Sequence, residues 1–182
     1  MKNMGFEAYT VHLVPCSYSP LATGQQTDAI QRIVNDLRQK WPVLRSDETE
    51  LRSLVCPLVP GEACLVYQTA QGLIQIMLTP CRGQASVSLR FAYCNPRSVY
   101  QPFTAMIAWL MERHQMHGYV MASDKLPDLS NPQEVETVLV PSMDYNRRLW
   151  QQDAGTSEEA ILRPGEAIER FISVENLSPV LV

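Results

Sequence analysis

The chain has 182 residues, 46% of them hydrophobic and 19% charged, which is enough apolar material for one sizeable core and too little charge for a disordered segment. Its 15 Lys and Arg stand against 19 Asp and Glu, a formal charge of -4, so a phosphate backbone is repelled and no nucleic-acid partner is expected. The first residues, Met1 to Glu7, lack the apolar run of a signal peptide, no stretch approaches the ~18 apolar residues of a membrane span, and five cysteines with no C-x-x-C pair fit neither a disulfide framework nor a zinc ribbon. A reducing, cytoplasmic setting with no membrane partner follows as the expectation.

In chain order, Phe6 to Val14 alternates Tyr9, Val11 and Leu13 with Ala8, Thr10 and His12, the period of a half-buried strand. Pro15 is expected to end it, because proline donates no backbone hydrogen bond. After the Ser17–Pro20 loop, Thr23 or Thr27 can cap a helix whose apolar stripe is Ile30, Ile33, Val34, Leu37 and Trp41. Asp28, Arg32, Asp36, Arg38 and Lys40 fall on its solvated side, and Pro42 stops it.

Between Leu51 and Asn95 the period changes to two, and the pattern predicts an antiparallel meander. Leu54–Val59 and Cys64–Thr69 are joined through Pro60-Gly61, a pair suited to a type II turn, and Leu73–Thr79 and Ser86–Cys94 follow across short glycine-containing connections. The last strand places Val87, Leu89, Phe91 and Tyr93 on one side and Ser88, Arg90 and Ala92 on the other. A second helix is expected from Pro102, as its first residue, to His117, with Gly118 as its stop; Tyr119–Ala122 is a candidate for one further short strand.

Asn131-Pro132 is an N-cap and first-residue pair for a helix to about Val138, and Pro141 is expected to break it before a second piece from Ser142 to Gln152. A short helix starting at Ser157 follows, and Ala167–Val174 suits helix or strand equally. The whole predicts a single α+β domain over residues 1–182: an antiparallel sheet of three to five strands covered on one face by helices, with a helical C-terminal annex over about 127–182.

Three side-chain constellations bear on chemistry. His114-x-x-His117 puts two imidazoles on one predicted helix face at a spacing that can share a metal, although two C-terminal histidines also suit the helix dipole. His12 and Cys16, with Cys94, are the only other material for thiol–imidazole catalysis, and neither a base in reach nor an oxyanion donor is visible in the pattern. Asp124, Asp128, Glu134 and Glu136 cluster near Asn131, where carboxylates cap a helix start. No phosphate loop, nucleophile elbow, dinucleotide fingerprint or calcium loop occurs, so no catalytic residue is assigned and no cofactor is expected.

Around the strand-to-helix junction at Asn95, arginine and aromatic side chains gather as they do in interface hot spots. With Phe91, Tyr93 and Phe103 turned inward, Arg90, Arg97 and Tyr100 remain as an exposed contact set. The reading is a non-enzymatic intracellular binding protein acting through a protein partner or self-association, as an adaptor, subunit or immunity-type inhibitor. The alternatives are a small-molecule enzyme using Cys and His, and a metal-binding protein using His114 and His117.

Overall fold

The computed structural model describes residues 8–16, 23–46, 61–68, 72–81, 84–92, 95, 97–120 and 128–154. Six strands, β1 (Ala8–Pro15), β2 (Arg45–Ser46), β3 (Ala63–Gln68), β4 (Leu73–Cys81), β5 (Gln84–Ala92) and β6 (Met116–Val120), form one sheet in the order β2-β3-β4-β5-β1-β6. Every pairing is antiparallel. Among the described residues three helices accompany it: α1 (Thr23–Lys40), α2 (Tyr100–Arg113), which follows a 3-10 turn at Arg97–Val99, and α3 (Pro132–Ala154).

Period-two alternation decides which face is covered. Val11 and Leu13 of β1, Ile74, Ile76 and Leu78 of β4, and Val87, Leu89 and Phe91 of β5 are all fully buried on one face. There they meet Ile30, Ile33, Val34 and Leu37 of α1 and Phe103, Met106, Ile107 and Leu110 of α2 in one core. Helix α1 lies over β4 and β5, α2 over β1 and β6, and α3 packs Val135 and Leu139 into the core beside α2. Phe91 is the hub, its ring 5.2 Å from Tyr100 and 5.0 Å from Phe103. Removing a ring so enclosed costs about 3–5 kcal/mol.

The alternation and the apolar stripe of α1 are found where the residues predict them; the elements that differ do so for local reasons. The sheet has six strands rather than three to five, because Arg45–Ser46 adds to β3 and β6 adds to β1. Strand β1 runs through Pro15, whose absent donor points toward β5 beyond the last registered pair, Leu13 with Val87. Helix α2 begins at Tyr100, so Pro102 is its third residue, where the N–H has no partner within a helix in any case.

That helix ends at Arg113, not at His117. The His114 N–H closes the last turn onto the Leu110 carbonyl at 3.0 Å, Gln115 takes φ 49°, and the chain turns straight into β6. Pro141 does not break α3: it and Thr137, whose carbonyl it leaves without a helical donor, are both exposed, so water can serve that oxygen. Gly61 adopts φ 92°, a conformation that glycine takes without strain, while Pro60 of the expected turn lies outside the described residues. The expected strand at Leu54–Val59 and the helix and mixed elements after Ser157 lie outside the described residues.

Candidate functional site

The six strands contain no aspartate or glutamate. Their polar side chains collect on the face opposite the helices, and register sets them in rows. One row runs Tyr119, His12, Ser88, Met77, Cys64 across β6, β1, β5, β4 and β3. A parallel row carries Thr10, Arg90, Gln75 and Val66. Exposure rises along them: Cys64, Val66 and Gln75 are buried, His12, Ser88 and Arg90 are intermediate, and Tyr119 is exposed, as is His117 beside it on β6.

The open end of the first row is a fixed unit. His12 Nδ1 lies 2.9 Å from Ser88 Oγ, and the His12 ring stacks on Tyr119 with centroids 5.2 Å apart and planes 23° from parallel. Partial burial holds the His12 pKa below its ordinary value, so at neutral pH the ring is an uncharged imidazole held by an hydroxyl on one side and a phenol ring on the other. Tyr119 is 41% exposed, a large aromatic whose conformation is already set by its neighbour. In the adjoining row Arg90 Nη1 donates to Gln75 Oε1 at 3.2 Å.

The sequence-predicted contact set is not one surface. Arg90 lies on the far sheet face, while Tyr100 is only 4% exposed and packs on Phe91 within the core on the helix side. Arg97 is 66% exposed and pairs with Asp144 of α3 at 3.2 Å, an ion pair of the exposed kind that contributes about 0–1 kcal/mol. The correction for Tyr100 is geometric: the 3-10 turn rotates the start of α2 so that this ring faces the sheet.

His114 and His117 likewise part company. His114 caps α2 at 11% side-chain exposure, with Nε2 3.7 Å from Asp36 Oδ2 and its ring 5.6 Å from Trp109, which in turn meets Trp41 edge-on at 5.2 Å. Desolvation lowers its pKa, offset in part by Asp36 and reinforced by Arg113 and Arg32. His117 is on β6, opposite Val14, on the exposed face. The two imidazoles share no helix face, and among the described residues no group of three His, Cys, Asp or Glu side chains is placed to hold a metal ion.

Cys16 is exposed at the end of β1, about 13 Å along the strand from His12 at ~3.3 Å per residue, so the imidazole's partner is a serine and not that thiol. Cys94 lies outside the described residues. Of the acidic cluster, Asp128 accepts from the Ser130 N–H at 3.0 Å and is held below its usual pKa by Ser130; its own N–H donates to Glu134, and Asn131 caps α3 through the Gln133 N–H at 3.1 Å. These groups serve the helix start. Ser88 and Tyr119 are the site residues that sequence reasoning missed; both stand on polar faces of alternating segments, but only the register unites them with His12.

Among the described residues no helix is long and apolar enough to cross a membrane. No family model, no curated protein and no solved structure matches this chain.

Proposed function

We propose that this chain is a non-enzymatic protein-binding module, an adaptor or self-associating subunit, whose contact surface is the β1–β6 end of the far sheet face. The observation that carries the reading is Tyr119: an exposed aromatic, stacked on an imidazole that is itself tied to Ser88. Such a ring loses little conformational freedom on binding, which is what makes preorganised aromatics effective interface anchors. His117 and Val14 flank it and extend the surface.

The 2.9 Å contact between His12 and Ser88 favours a second reading, in which the serine is a nucleophile and the neutral imidazole its base. Binding is preferred because Ser88 sits in mid-strand between β1 and β4, where backbone N–H groups serve the ladders and offer no pair of donors to a developing oxyanion.

The test is native mass spectrometry of the chain isolated from its own source, beside a Tyr119→Ser variant of unchanged circular dichroism. The expected result is a complex of fixed protein stoichiometry that the variant loses. A monomer in both preparations, or the same complex in both, contradicts the reading.

A further inference from the structure

We infer that the protein partner is a second copy of this chain, joined edge to edge by antiparallel pairing of β6 with its symmetry mate about Gly118; the inference rests on the protein-contact reading and names its occupant. A two-stranded edge interface needs three things: free backbone groups in the right phase, side chains that tolerate being paired with themselves in reverse order, and no device that repels a strand. Among the described residues, strand β6 meets all three.

The phase follows from one bond. The Cys16 N–H donates to the Gln115 carbonyl at 2.9 Å, which makes Val14 with His117 and His12 with Tyr119 the hydrogen-bonded pairs of the β1–β6 ladder. Met116, Gly118 and Val120 therefore direct N–H and C=O away from β1, at the end of the sheet order, and no backbone hydrogen bond among the described residues uses that outer side.

The sequence Met-His-Gly-Tyr-Val has the same character read in either direction about its glycine. With Gly118 on a two-fold axis, Gly118 bonds to its own mate and Met116 to Val120 of the second copy, so that each outward N–H and C=O finds a partner. Met116 and Val120 are both buried on the helix side and form an apolar pair. His117 and Tyr119, both exposed, fall opposite one another as a non-hydrogen-bonded pair, where side chains approach most closely. The imidazole–phenol stack already seen between His12 and Tyr119 is thereby continued across the axis.

Edge strands are ordinarily kept apart by charge, by proline or by brevity. At the opposite edge β2 is only Arg45–Ser46, and its arginine donates to Gln68 of β3. Strand β6 has five residues with neither a formal charge nor a proline, so no like-charged side chains meet along the paired edge.

Sedimentation velocity of the full chain from micromolar to millimolar concentration tests this, with amide exchange at Gly118 followed in parallel. A dimer is expected, with Gly118 exchange slowing as concentration rises. In the His117→Lys/Tyr119→Lys variant two lysines face each other on each side of the axis, and dimerisation is expected to weaken by roughly tenfold or more. The His117→Glu/Tyr119→Lys variant places opposite charges there and is expected to dimerise. A wild-type chain that stays monomeric throughout, or a double-lysine variant that dimerises like wild type, overturns the inference. If the monomer nevertheless holds a different protein in a Tyr119-dependent complex, self-pairing fails while the protein-contact reading stands; if it holds none, both fail.

Discussion

His12 and Ser88 meet at 2.9 Å across 76 residues of sequence, because β1 inserts beside β5 and its register sets the two directly opposite each other. The contact orients the imidazole on which Tyr119 stacks. Ser88→Ala is expected to destabilise the fold by about 1 kcal/mol, the net contribution of one part-buried hydrogen bond, measured by urea unfolding. A serine-directed fluorophosphonate is expected to leave Ser88 unmodified; stoichiometric labelling there favours the hydrolytic reading instead.

Gly118 is enclosed on its core side. A Cβ there falls 2.5 Å from Leu129 Cδ1 and 2.7 Å from Leu13 Cδ2, and both leucines are buried. Gly118→Ala is expected to cost about 1–3 kcal/mol through overpacking, and less in a Leu129→Ala background, where one of the two obstructions is gone. Equal costs in the two backgrounds, read from denaturant midpoints, contradict this account of the β6 packing.

His114 makes stability depend on pH. Burial lowers its folded-state pKa from the ordinary 6.5, with Asp36 opposing, and His12 shifts the same way. Below pH 6.5 the unfolded chain binds more protons than the folded one, so the contribution is complete above that value and is lost as pH falls through the folded pKa values. His114→Gln is expected to flatten the decline in denaturation midpoint between pH 7 and pH 5; an unchanged slope is the contrary result.

Pro141 interrupts the hydrogen-bond ladder of α3 without ending the helix. Because its side chain is exposed, Pro141→Ala restores the donor to the Thr137 carbonyl without opening a cavity, and a gain of about 1–3 kcal/mol is expected from thermal unfolding followed at 222 nm. A loss of stability means that the proline sets a bend on which packing against α2 depends.

Much of the architecture is legible in the residues. Val87, Leu89 and Phe91 announce a strand with one buried side, and Ile30, Ile33, Val34 and Leu37 announce a helix over it, because burial follows backbone period. Periodicity says nothing about which strands adjoin, so the place of β1 between β5 and β6, and with it the Tyr119–His12–Ser88 row, is not readable locally. The stretch from His114 to His117 misleads for a definite reason. Its residues satisfy a helical stripe, and only the left-handed turn at Gln115, a residue type that rarely adopts it, parts His114 from His117. Tyr100 misleads similarly, since an aromatic beside arginine fits a hot spot and a core equally well until the start of α2 is fixed.

A photo-crosslinking amino acid in place of Tyr119 tests the central claim most directly, with the exposed Glu112 position of α2 as the control. Irradiation of the full chain in its native lysate is expected to give one protein adduct of fixed mass from position 119, either this chain or a single other protein, and none from position 112. No adduct from position 119, or the same products from both positions, contradicts a contact surface at the β1–β6 end of the sheet.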